Sequence, residues 1–130
     1  MAIRKFSSIS VETTLASGIN SAVTSLTVAT GTAAALMGGV TLGASVGGIY
    51  PDQFTVVIDP DTINEEICFV QYVSGDTLTI TRGEAGSTAT SHSSGATVKH
   101  VLTSDDLNAF EAGLDGSAGG TVSSLLLMGG

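Results

Sequence analysis

Four acids crowd one short stretch of the chain: Asp59, Asp61, Glu65 and Glu66. Carboxylate oxygens gathered in this way could coordinate calcium. An EF-hand loop, however, needs Asp or Asn at its fifth position, Gly at its sixth and Glu at its twelfth. Counted from Asp59, those positions hold Ile63, Asn64 and Val70, so that motif fails. The four acids stay as weak metal candidates, against the plainer reading of a solvated turn between two strands. His92 and His100 are the two histidines, and neither forms a metal-ligand spacing with the other or with Cys68. Cys68 lies in an apolar run, where a thiol packs as a small hydrophobe. No serine sits in a Gly-x-Ser-x-Gly elbow. Gly83-Glu84-Ala85-Gly86 lacks the lysine of a phosphate loop. Arg82 is expected to pair with a nearby carboxylate or to anchor its loop. No catalytic residue and no cofactor is assigned, and the chain reads as a non-enzyme.

Composition narrows the choice further. Twelve acids against four bases give a net charge of -8, which disfavours nucleic acid, because phosphate contacts need clustered Lys and Arg. Gly, Ser and Thr make up 50 of the 130 residues, while charged residues reach only 12%. One cysteine excludes an intrachain disulfide. Apolar content of 42% argues against disorder. The first residues carry Arg4 and Lys5, but Ser7, Ser8, Ser10 and Glu12 stand where a secretory signal needs an apolar stretch. Gly39, Gly43 and Gly47 follow a spacing used by packed membrane helices. The surrounding stretch 31–48 holds six glycines and too few large apolar residues to span a bilayer. No membrane is expected, and the stretch reads as an uncharged loop or a pair of short strands.

The elements that carry these residues are mainly strands. A first strand is expected over 9–15, with Ile9, Val11, Thr13 and Leu15 alternating, and a second over 22–29. Phe54, Val56 and Ile58 share one face of a strand that starts at Gln53 and ends at Asp59-Pro60-Asp61. A further strand over 66–73 places Ile67, Phe69 and Val73 on one side, with Cys68, Val70 and Tyr72 on the other. Ser74-Gly75-Asp76 turns the chain into a strand over 77–81. A loop over 82–95 leads to a last strand over 97–102. One helix is expected over 105–114, capped by Thr103 or Ser104, with Leu107, Phe110 and Leu114 on one stripe. The fold class is therefore mainly β, a single small antiparallel barrel or sandwich with a long Gly-rich loop and one short C-terminal helix. Residues 1–8 form an N-terminal arm, 9–114 the β domain and 115–130 a flexible tail with an apolar tip.

The run Thr81-Arg82-Gly83-Glu84-Ala85-Gly86-Ser87-Thr88-Ala89-Thr90-Ser91-His92, continuing to Val98, carries a resemblance. It is similar to the pattern TRG-x-x-G-T-x-A-x-x-H-x-x-G-A-x-V, with Ser87 in place of the usual Thr. That pattern belongs to a small β domain of tailed-bacteriophage virion proteins of the decoration, minor tail, baseplate and head-fibre types. The opening stretch 17–28, the strands from Phe54 and Glu66, and the segment 101–108 agree with it in order. The resemblance implies a structural role on the virion. Tail-fibre versions continue into a shaft, whereas a self-contained unit suits a capsid decoration, or cement, protein. A minor tail, collar or baseplate adaptor is the alternative. Expected partners are further copies of the chain, as a homotrimer, and other virion proteins such as the major capsid protein.

Subunit contacts are assigned to Arg4, Lys5 and Phe6 in the arm, to Leu36, Met37, Val40 and Leu42 in the Gly-rich stretch, and to Leu125, Leu126, Leu127 and Met128 at the tip. The arm and the tip are expected to order only in the assembly. A carbohydrate site in loop 84–97 is a further alternative, but it lacks an aromatic platform, with only Tyr50 and Tyr72 available.

Overall fold

A computed structural model of the chain describes residues 3–103, 106–108 and 110. The elements run β1 (Ile3–Lys5), β2 (Thr13–Thr14), β3 (Ser25–Thr27), α1 (Ala33–Met37), β4 (Asp52–Ile58), β5 (Glu66–Ser74), β6 (Thr77–Thr81) and β7 (Thr97–His100). One sheet takes the order β2-β7-β4-β5-β6-β3, with β1 lying parallel on β4. Every other pairing is antiparallel. The sheet curls into a half-barrel whose two outer strands meet at a Leu15–Val28 bridge. Two backbone bonds flank that bridge, from Ala16 to Thr27 and from Ala29 to Thr14, each 2.9 Å. The protein is thus mainly β, as expected.

Alternation explains the interior. Phe54, Val56 and Ile58 of β4 point inward with Cys68 and Val70 of β5, Leu78 and Ile80 of β6, and Val98 of β7. The other face of β4 is covered as well, so Gln53, Thr55 and Val57 are also buried. A bulge at Gln71 breaks the phase of β5, because Val70 pairs with Ile80 while Tyr72 pairs with Thr79. One extra residue turns every later side chain to the opposite face. Val73 therefore joins the core side and Tyr72 lies outside, which reverses the faces expected for both.

Other expectations need correction. Residues 9–12 are not a strand, and Ile9 and Val11 are exposed. Their backbone is tied to α1 instead: Val11 donates to the Ala35 carbonyl, and the Ser10 hydroxyl donates to that of Leu36. The strand expected from residue 22 starts only at Ser25. Asn20 Oδ1 accepts the N–H groups of Ala22 and Val23, a local turn that removes those donors from any ladder.

The Gly-rich stretch contains a helical turn that was not expected. Ala33-Ala34-Ala35-Leu36-Met37 are good helix formers, and Gly38 ends them in the left-handed region at φ +56°. A side chain at Gly38 would collide with Ser7 Oγ and with the Ser10 backbone. At the other end of the chain, residues 106–108 and 110 are helical, and the rest of the expected 105–114 helix lies outside the described residues. Thr103 caps it as expected, in a reciprocal pair: its Oγ1 accepts the Asp106 N–H, and Asp106 Oδ2 accepts the Thr103 N–H. Leu107 does not face inward. Asp106 does, and Leu107 is exposed.

Candidate functional site

Glu66 opens β5 and Arg82 follows the last residue of β6, so the hairpin brings them together at one end of the curled sheet. Their pairing is bidentate, with Arg82 Nε to Glu66 Oε2 at 2.7 Å and Nη2 to Oε1 at 2.9 Å. The remaining three guanidinium N–H groups reach carbonyls of Asn20 (2.8 Å), Val23 (2.8 Å) and Thr90 (2.7 Å). All five donors of Arg82 are therefore used. The expected roles of pairing with a carboxylate and anchoring the loop are both present in one side chain.

Glu66 is fully buried and saturated in the same way. Besides Arg82, its oxygens accept from Gly83 N (3.0 Å), Thr90 N (3.1 Å) and Cys68 Sγ (3.4 Å). Burial alone would push its carboxyl up. The bonds from Arg82, His92 and the two backbone N–H groups outweigh that and bring it down to about 2. His92 bridges two carboxylates, with Nδ1 at 2.7 Å from Asp59 Oδ2 and Nε2 at 2.9 Å from Glu66 Oε1. Its backbone also exchanges two 2.9 Å bonds with Ile19. Arg82 and His92 of the Thr81–Val98 run thus clamp three pieces of chain against β5: the 59–65 turn, the 18–23 turn and the 83–95 loop.

The acidic cluster divides into two pairs, Asp59 and Glu66 on His92 and Asp61 with Glu65. Glu66 turns inward to Arg82, and Asp59 turns to His92. Asp61 and Glu65 stay at the surface, where Glu65 Oε2 accepts the Asp61 N–H at 2.8 Å. Among the described residues, no group of three or more His, Cys, Asp or Glu side chains is placed to hold a metal. Cys68 is buried, and burial followed by the charge of Glu66 pushes its thiol far above the ordinary range.

A second polar cluster holds the N-terminal arm. Arg4 Nη1 lies 3.0 Å from Asp106 Oδ1, and its guanidinium stacks 4.5 Å from the centre of the Phe69 ring. Asp106 Oδ1 also accepts from Thr55 Oγ1 at 2.8 Å. Burial would raise the Asp106 carboxyl, but bonds from Thr103, Thr55 and Arg4 hold it below its usual range. Lys5 reaches Asp52 at 3.8 Å, and Phe6 stacks on His100 with ring centres 4.9 Å apart. His100 Nε2 accepts the Ser7 N–H at 2.9 Å. Residues 3–7 therefore pack on their own domain through Arg4, Lys5, Phe6 and the Ser7 N–H.

The other contact candidates divide. Leu36 is fully buried and cannot meet a neighbour, because α1 turns it into the core. Met37, Val40 and Leu42 are partly buried and pack against that core. Phe6 keeps 46% of its surface exposed, and Ile3 in the arm and Ile9 just after it are exposed as well. Leu125, Leu126, Leu127 and Met128 lie outside the described residues, as does the whole 115–130 tail. Loop 84–97, the alternative carbohydrate site, is engaged with Glu66 and Arg82 through Thr90 and His92. The two tyrosines instead meet elsewhere, with ring centres 6.2 Å apart. The Gln71 bulge produces that meeting, and nothing in the spacing of the sequence announces a bulge there. No helix among the described residues is long and apolar enough to cross a membrane. In sequence, the chain matches no protein-family model and no curated protein.

Proposed function

We propose that this protein is a non-enzymatic structural component of a tailed-phage virion, seated on the capsid as a decoration protein. The observation that carries the reading is the use made of the Thr81–Val98 run. Arg82 and His92, two fixed positions of the pattern that carries the resemblance to phage virion modules, bind Glu66, Asp59 and backbone carbonyls. They fix long loops on a small sheet, which is the work of a scaffold that presents surfaces to neighbours. The apolar exposure of Ile3, Phe6, Ile9 and Val11 along one segment gives such a scaffold a contact strip. Partners in this reading are further copies of the chain, as a homotrimer, and the major capsid protein.

Co-sedimentation tests it. Purified protein is mixed with capsids and, separately, with tails of the phage that encodes it, both stripped of this chain. Saturable binding to capsids is the expected result. Binding to tails alone favours the minor tail, collar or baseplate adaptor, and binding to neither overturns the virion reading. Light scattering on the free protein reads the oligomer, with a trimer expected.

A further inference from the structure

The outer face of the β5–β6–β3 ribbon is a neutral grid of hydroxyls with an aromatic pair beside it. Leu26, Leu78 and Ile80 point into the core, so the residues alternating with them point out. Register places Tyr72, Thr79 and Ser25 in one cross-strand row, with Thr77 and Thr27 in the next. Tyr72 is 43% exposed, and Ser25, Thr27 and Thr77 are exposed beside it. Tyr50 comes from the segment before β4 and packs on Tyr72 at 6.2 Å, with the rings tilted by 35°. The hydroxyls of Ser25 and Thr79 bond to no side chain among the described residues, and those of Thr27 and Thr77 only approach each other at 3.4 Å.

We propose that this face binds a neutral oligosaccharide, with Tyr72 as the stacking surface and the Thr79–Ser25 row as its hydrogen-bonding partners. Strands lie about 4.8 Å apart and alternate residues rise about 7 Å along them, a grid comparable with the span of one sugar ring. Each Ser or Thr hydroxyl both donates and accepts, which matches the mixed donor and acceptor character of sugar hydroxyls. The apolar C–H face of a pyranose packs on an aromatic ring, and a Tyr ring adds a polar edge. Charge selects among glycans. None of the six positions carries charge, and a protein of net charge -8 repels uronic or sialic acids. The inference stands independently of the virion reading, since it rests on the outer face alone.

The test applies the full chain to an array of neutral oligosaccharides, including bacterial surface-polysaccharide fragments, beside uronic-acid oligosaccharides. The strongest neutral binder is then titrated calorimetrically. Binding of a neutral oligosaccharide is expected, weakened about tenfold by Tyr72→Ala, the order of one lost aromatic contact. Tyr72→Phe should retain most of the binding, Thr79→Val should weaken it severalfold, and Ile63→Ala, at a fully exposed site on another turn, should leave it unchanged. Thermal melts establish that each variant is folded. Should Tyr72→Ala fail to fold, Tyr50→Ala and Thr79→Val read the same face. Silence towards every neutral oligosaccharide, binding of acidic ones alone, or binding insensitive to the folded face variants overturns the proposal.

Discussion

Glu66 and Arg82 form a bidentate ion pair that is wholly shielded from water on the glutamate side, while three backbone carbonyls take the other donors of the arginine. Removing one partner of such a pair strands the other charge. Glu66→Gln should therefore lower the unfolding free energy by about 3–5 kcal/mol in urea melts. The double variant Glu66→Gln with Arg82→Met should lose less than the two single losses combined, because the second change removes the stranded charge. Strict additivity would show that the two side chains do not act as a unit.

Acid should weaken the fold in stages. Burial holds His100 below its ordinary 6.5, so the unfolded chain takes up that proton first and stability begins to fall as pH drops below 6.5. Glu66 follows: its folded value is about 2 against an ordinary 4.5, so the unfolded chain again binds more protons between those values. Its contribution is complete above pH 4.5 and is lost as pH falls through 2, amounting to roughly 3 kcal/mol. Asp106 acts in the same direction. Urea midpoints measured from neutral pH downward should fall monotonically, and a plateau through the carboxylate range would contradict the account.

Cys68 should be inert in the folded protein. Its thiol is buried, and burial with the neighbouring Glu66 charge suppresses the thiolate. A thiol-specific colour reagent should react with it only after urea unfolding. Prompt reaction under native conditions would mean that the β5 end opens readily.

Thr81 offers a stabilising change. Its Oγ1 is buried at the end of β6 and has no hydrogen-bond partner among the described residues. Thr81→Val keeps the shape and removes the unsatisfied hydroxyl, so it should raise stability by about 1 kcal/mol. A lower melting temperature would show that the hydroxyl has a partner, such as an ordered water.

Legibility in the sequence followed the strength of local pattern. Strands β4, β5 and β6 stand out because apolar residues alternate on both sides of Gly75-Asp76, and Gly75 takes the positive φ that the tight turn requires. The bulge at Gln71 has no local signature, so alternation alone places Tyr72 and Val73 on the wrong faces. The short edge strands β2 and β3 are bounded by side-chain bonds of Ser10 and Asn20 to backbone groups, which periodicity does not record. At the site, the resemblance covers the run with Arg82 and His92 and the strands ending at Asp59 and opening at Glu66, but does not say that these residues meet. Glu66 lies 16 residues from Arg82 and 26 from His92, and only the sheet register brings them together. An acid at the head of an apolar strand is the hint in the sequence, and by position alone it belongs with Asp59, Asp61 and Glu65.

The proposed seat on the phage capsid requires many copies of the chain in each particle. Purified particles of the encoding phage are digested, and this chain is quantified against the major capsid protein by isotope-labelled peptides. A copy number approaching that of the capsid protein is the predicted result, whereas absence of the chain from the particles would contradict the account.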